Sequence, residues 1–380
     1  MIDGVLRVRV AVRCAAAIAC AALAGAAARA DVEIVLRNGV GSVSGASAIG
    51  DVGGIAVRGA QTWEGDDALA ERFRAAPIPW DMVREVRGDA SGLGEFLSIG
   101  EDLWRARIRI ERGDEALAAP VLAKHWARFR NADGPTAALV AEGLLRVALA
   151  NGDIRAAAEP WLACLRHRSA GISSRFPALP AAFDADNGLL PVLSPFMPES
   201  RRADLIAACE AARAAGEAGD VAQLVVRIAR AQAPSADGAA EKTELAKDAP
   251  ASVRALTLLA DISAAADARA LERAVGAFDR AFEEPASYLA AWRLAAIGTC
   301  RARLARALAA GTERNAALGR AALELLAVPA AGLDASGLVD AYALEEAARL
   351  LRESGDETSA SQLDALAREK LQDSTRPAAR

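Results

Sequence analysis

Apolar and polar residues alternate where the chain's patterning begins: Val32, Ile34 and Leu36 share one parity, interleaved with Glu33 and followed by Arg37. A period of two predicts a half-buried strand. Asn38-Gly39 follows, and because both residues tolerate positive φ it predicts a tight turn. Gly41 to Ile49 and Gly54 to Arg58 predict further short strands, separated by Gly50-Asp51 and Gly53-Gly54. Val83 and Val86, in the run from Ile78 to Gly88, close the set. Between these strands, Trp63-Glu64-Gly65-Asp66-Asp67 reads as an acidic loop and Ala68 to Phe73 as a short helix.

From Glu95 onward the period becomes helical. Leu122, Trp126 and Phe129 fall at i, i+4 and i+7, one face of a helix. Leu271, Val275, Phe278 and Phe282 repeat the pattern. Gly113-Asp114, Gly152-Asp153, Gly219-Asp220 and Gly355-Asp356 each end one apolar run and begin the next. Glycine ends a helix in the left-handed conformation and aspartate caps its successor, so each pair predicts a hinge between antiparallel helices. Asp267 predicts another cap, and Gly311-Thr312 a further break.

Two segments interrupt the helices. Ser169 to Ser200 holds Pro177, Pro180, Pro191, Pro195 and Pro198 among Phe176, Phe183, Leu189, Leu190 and Phe196. It is too apolar for a free linker and too rich in proline for a helix, which predicts an extended strap lying on the protein. Gln232 to Pro250, with Ser235-Ala236-Asp237-Gly238 and a charged stretch after it, predicts an exposed loop. The expected layout is an export segment 1–30, a β-rich module 31–94 and hairpins one and two at 95–168. A strap at 169–200, hairpin three at 201–232, a loop at 233–251, hairpins four to six at 252–371 and a disordered tail at 372–380 complete it.

The strand, Asn-Gly turn and glycine-bearing second strand of residues 31–94 resemble the Sm-like and SH3-like β-modules. The later hairpins resemble the tetratricopeptide-repeat family. Small or apolar residues stand at the helix-crossing positions: Ala106, Ala118 and Leu122, then Ala157 and Trp161, then Ala212, Ile228 and Ala231, and finally Ala348, Ala360 and Ala367. Departures accompany the match. Gly113 and Gly152 are spaced more widely than the family's repeat of about 34 residues, and His125 and Cys164 stand where alanine is usual. Pro120 and Pro160 fall within their helices, which predicts a kink or a later helix start. The expected fold class is mainly α: a small N-terminal β-meander or barrel-like module followed by an irregular tetratricopeptide-like helical array.

Composition adds the compartment. Arg7, Arg9 and Arg13 precede the apolar run Cys14 to Ala28, and Ala28-Arg29-Ala30 offers a small-x-small cleavage site. The run is shorter than the roughly 20 apolar residues of a membrane span, so it predicts an export signal. Cys20, after Ala17-Ile18-Ala19, offers a lipid-anchored alternative. Cleavage removes four arginines and one acid from a chain of formal charge −5, leaving a more acidic protein without a basic footprint for nucleic acid. Cys164, Cys209 and Cys300 remain, an odd and widely spaced set that predicts buried thiols instead of a disulfide framework.

Catalytic raw material is sparse. His125 and His167 are the two histidines. His167 stands in Arg166-His167-Arg168 near a helix C-terminus, where the dipole favours the charged ring. Asp184-Ala185-Asp186-Asn187-Gly188 has calcium-loop spacing. Its glycine falls one place early, however, and Pro195 stands where a ligating glutamate belongs, so a turn is expected. No catalytic, metal or cofactor residue is assigned. The function expected is that of an exported, noncatalytic interaction or scaffold protein of the bacterial envelope, periplasmic or extracellular, offering a helical surface to a protein or peptide. Trp63, Trp104, Tyr288 and Trp292 are its candidate contact residues. The alternative is an envelope hydrolase or carbohydrate-binding protein with a pocket between the β-module, the strap and the helices.

Overall fold

A computed structural model describes residues 32–74, 76–212, 214–232, 248–334 and 336–374. The expected export segment and Cys20 lie outside the described residues. The chain is mainly helical, with a small N-terminal antiparallel sheet. It divides into two compact units, Met1–Arg105 with Gly134–Thr136, and Ala106–Asp133 with Ala137–Arg380.

The first unit contains β1 (Val32–Leu36), β2 (Gly41–Gly45), β3 (Ser47–Asp51), β4 (Gly54–Arg58), β5 (Thr62–Gly65), α1 (Asp67–Phe73) and β6 (Val83–Gly88), and it takes in the opening of α2 (Gly94–Glu111). Its four-stranded antiparallel sheet runs β5-β2-β1-β6, and β3 pairs with β4 in a second sheet. The alternation in β1 sends Val32, Ile34 and Leu36 into the core, with Ile34 opposite Val43 on one side and Val86 on the other. The β1–β2 connection differs from a two-residue turn. A single 3₁₀ turn spans Arg37–Gly39, with Gly39 at φ +68°.

The predicted strand Gly41 to Ile49 is two strands that part at Ala46. Gly45 permits the handover, because a Cβ there would stand 2.3 Å from the Val57 side chain. The Trp63-Glu64-Gly65 stretch is not a loop but an edge strand, with Trp63 opposite Val43. Gly41 makes that pairing fit, since a side chain at that position would collide with the Glu64 carbonyl. Asp66 then caps α1 through the amides of Ala68 and Leu69.

Trp80 centres this core. It is fully buried, stacks on Phe96 with ring centroids 5.1 Å apart and donates its indole N–H to Asp51 O at 2.6 Å. Its backbone N–H donates to Thr136 Oγ1, and that hydroxyl donates to Gly53 O at 2.9 Å.

The second unit is built of helices: the end of α2, then α3 (Glu115–Phe129), α4 (Pro135–Ala150), α5 (Ile154–Ser169), α6 (Glu199–Ala211) and α7 (Gly216–Ala231). Its later half contains α8 (Ala251–Ser263), α9 (Ala268–Ala281), α10 (Ser287–Arg306), α11 (Thr312–Ala331), α12 (Leu338–Ser354) and α13 (Glu357–Ser374). Neighbours in sequence pack on one another from α5 to α13. Gly113, Gly152 and Gly355 adopt positive φ at their hinges, and the Asp153 and Asp356 carboxylates cap the helices that follow. Ala118, Ala157, Ala348 and Ala360 are buried at the packed faces. Gly143 brings α4 close to its neighbours, since a Cβ there would stand 2.8 Å from Leu122.

Gly219-Asp220 is not a hinge. Both residues lie inside α7, and the break falls between Ala211 and Gly216, with Gly216 at φ +60°. Gly219 serves close packing instead, since a Cβ would come within 2.7 Å of Ala214 O. The helices α3 and α5 begin before Pro120 and Pro160 and run through them. Gln232 is buried and donates to Ile228 O and Pro195 O, so it closes α7 where an exposed loop was expected to start. Residues 233–247 lie outside the described set. At the other end α13 continues through Gln372 to Ser374, because Leu371 still packs on the core; residues 375–380 are not described.

The segment between α5 and α6 has no α-helix or strand; it passes through turns at 177–178 and 185–187 and one 3₁₀ turn, Pro191–Leu193, and buries Phe176, Leu189, Leu190, Leu193, Phe196 and Met197. The buried carboxylate of Glu142 holds its near end. Glu142 accepts from Arg146 at 2.8 Å, from Ser174 Oγ at 2.8 Å and from Arg175 N at 2.8 Å. Arg146 also donates to Pro180 O and lies over the Phe176 ring. Removing one partner of such a pair leaves an uncompensated buried charge. Glu142→Ala is therefore expected to lower unfolding free energy by about 3–5 kcal/mol in urea titration, and to expose the backbone near Arg175 to limited proteolysis.

Candidate functional site

A cavity of about 810 Å³ lies in the helical unit, between the strap and the helices. The end of α4 contributes Ala148 and Leu149, and the start of α5 contributes Asp153, Ile154 and Ala157. The strap lines it with residues 181–184 and 190–193, α6 with Arg201, α10 with Ala286 and Tyr288, and the approach to α12 with Ser336 and Leu338. Every lining residue belongs to the helical unit. Its walls are mainly aliphatic, and its volume falls within the roughly 300–1,000 Å³ of ligand sites.

The strap's turn is pinned beside this cavity. Asp184 Oδ1 accepts from the amides of Asp186 and Asn187, and Asp184 Oδ2 accepts from the Tyr288 hydroxyl at 2.8 Å. Asn187 Nδ2 donates to the same hydroxyl at 2.8 Å, while Asn187 Oδ1 accepts from Leu189 N. Trp161 adds an indole donor to Gly188 O at 2.9 Å. Burial, and then the neighbouring Asp184 against the opposing Asn187 bond, holds the Tyr288 phenol far above its ordinary range. Both oxygens of Asp184 are thus engaged within the protein, and the calcium-like spacing folds as an Asx turn. Among the described residues no group of three or more His, Cys, Asp and Glu could hold a metal ion.

Tyr288 and Trp292 are core residues, packed edge to face at 5.2 Å. Their expected role as exposed contacts is corrected: apolar neighbours surround this part of α10, and helical periodicity alone does not identify the outer face of a buried helix. Trp63 and Trp104 are half-buried, both in the first unit. Trp63 donates to Gln61 Oε1 and lines a recess of about 230 Å³ with Arg58 and Arg74. Trp104 lies under the Arg37 guanidinium at 4.9 Å, which is itself paired with Glu101.

Trp126 was assigned to a core stripe with Leu122 and Phe129. Those two are fully buried, whereas Trp126 is half-buried and lines a groove of about 330 Å³ formed by α3, α4 and α5. Its indole donates to Glu159 Oε2 at 3.2 Å, with Asn151, Asp153 and Arg155 also lining the groove. The usable signal is the polar neighbour Lys124 and the heavily charged chain around Arg128 and Arg130, which mark the stripe's edge.

The thiols of Cys164, Cys209 and Cys300 are free and buried, and burial pushes Cys209 up to about 12 and raises the other two. No protein-family model, curated protein or solved structure matches the chain. Among the described residues no helix is long and apolar enough to cross a membrane.

His167 reverses its expectation. The ring is 2% exposed, and neither nitrogen has a hydrogen-bond partner among the described residues. Burial, reinforced by Arg166 and opposed by Asp133, lowers its pKa from 6.5 to about 4, so desolvation outweighs the helix dipole. The unfolded chain takes up this proton first as pH falls. The stability linked to a neutral ring is complete above about 6.5 and is lost progressively towards about 4. Urea midpoints measured across that window should fall by the equivalent of roughly 2–3 kcal/mol, and His167→Leu should flatten that part of the profile.

Proposed function

We propose that the chain is an exported, noncatalytic binding protein of the bacterial envelope, periplasmic or extracellular, whose helical unit presents a surface to a protein or peptide partner. The observation that carries this reading is the groove at Trp126. A half-buried tryptophan between an arginine, an asparagine and carboxylates has the composition of an interface hot spot, where a large flat side chain gains contact area at little entropic cost. Two further features support it. Asp184 and Tyr288 hold the strap to the helices, and the three thiols are buried in the core. Export rests on the Arg-rich start, the short apolar run and the Ala28-Arg29-Ala30 site.

Two measurements test it. Sequencing of the chain recovered from its own envelope should begin at Asp31; an uncleaved Met1 in the cytoplasm would remove the compartment from the proposal. A photo-crosslinking side chain placed at position 126 should capture a discrete partner there, and Trp126→Ala, in protein that circular dichroism shows still folded, should weaken that complex by about 2 kcal/mol or more. Capture no greater than from a probe at exposed Arg128 would refute the groove as the contact.

A further inference from the structure

The 810 Å³ cavity has one side-chain polar group left uncommitted in an otherwise aliphatic lining. Asp184 spends both oxygens on Asp186 N, Asn187 N and Tyr288. Asp153 caps α5 through Ala156 N, and Ser336 is tied to Asp334. Arg201 is half-buried, and its guanidinium makes no hydrogen bond or ion pair with any described residue.

The backbone around the cavity favours negative charge. The starts of α5, α6, α10 and α12 all contribute lining residues, so four helix N-termini, each carrying a fraction of positive charge, are drawn to one space. Asp153 offsets that of α5, and Asp334 that of α12 by accepting from Val339 N and Asp340 N. The α10 terminus opens behind Ala286 and the α6 terminus behind Pro198, neither with a capping side chain at its N-cap; the Glu345 carboxylate takes the Glu199 amide of α6. Arg201 is the one cationic side chain of the lining; the Asp153 and Asp184 carboxylates, also in the lining, are held by the amides of Ala156, Asp186 and Asn187 and by the Tyr288 hydroxyl.

We propose that this cavity binds an aliphatic monocarboxylate, its hydrocarbon body against Leu149, Ile154, Leu190 and Val192 and its carboxylate on Arg201. A guanidinium offers paired donors that match a carboxylate. The lining also argues against a peptide occupant. Each residue of a bound peptide carries an amide donor and a carbonyl acceptor that need partners when buried, and Arg201 alone among the polar side chains here is free to offer one.

Calorimetric titration of the full chain with dodecanoate, dodecanol and dodecylammonium tests the assignment. Dodecanoate is expected to bind saturably and more tightly than either analogue. Arg201→Gln should weaken dodecanoate by about ten- to hundredfold, bringing it to the level of dodecanol, with the thermal midpoint unchanged because the guanidinium holds nothing else in place. Ala182→Trp, at a half-buried position of the rim, should block dodecanoate and dodecanol alike. The proposal is overturned by an absence of saturable dodecanoate binding, by equal binding to Arg201→Gln, by tighter binding of the amine, or by displacement of dodecanoate by an apolar-ended, amidated peptide.

Discussion

The helical unit depends on how a proline-rich, non-helical segment is held among helices. Such a segment has no helix or sheet ladder for its backbone, and a buried polar group without a partner costs more than the hydrogen bond it forgoes. The chain meets this constraint with side chains from the helices. Glu142 receives Arg175 N, Arg146 reaches Pro180 O, Trp161 reaches Gly188 O, and Gln232 reaches Pro195 O. Between these anchors the strap supplies its own Asx turn at Asp184, locked by Tyr288 of α10. With its polar groups met from the flanks, the strap can bury Phe176, Leu190 and Phe196 as a helix would. Its prolines keep it from forming a helix of its own, and residues 181–184 and 190–193 line the cavity.

The small unit answers a different constraint, the accommodation of Trp80 in a sheet of few strands. Glycines make the room. A Cβ at Gly50 would lie 2.6 Å from the Trp80 ring, and one at Gly100 would lie 2.5 Å from its carbonyl. Glycine at these two positions therefore makes room for the indole, which donates to Asp51 O at the β3–β4 turn.

What the sequence disclosed follows from how local each cause is. The alternation in β1 and the glycine hinges at Gly113, Gly152 and Gly355 arise from backbone conformation and from neighbours in the chain, and the structure carries them, with side-chain caps from Asp153 and Asp356 but none from Asp114. Gly219-Asp220 has the same letters and a different role, because its glycine answers the approach of Ala214 and not a turn. Tyr288 and Trp292 are legible as aromatic residues at helical spacing, but which face of α10 is covered is decided in part by α8 and the strap, which precede it in the chain by tens of residues. His167 fails for a related reason. Its neighbours in the chain suggest a charged, solvated ring, and only its packing supplies the desolvation that holds it neutral. Trp126 shows the converse, a member of an apolar stripe left at the rim because Glu159 of α5 offers its indole a polar partner.

The groove and the cavity share the hinge between α4 and α5: Ala148 and Asp153 line both. The hinge is built from Gly152 at φ +64° and a cap from Asp153 to Ala156 N. Its conformation is fixed by backbone chirality and one short bond, not by the packing of large side chains. An occupant of the cavity would lean on the same few residues that shape the groove at Trp126. Because interiors are packed too densely to deform continuously, small shifts at such a shared wall pass across it instead of being absorbed. The groove and the cavity therefore lie back to back on one hinge and share its residues as a common wall.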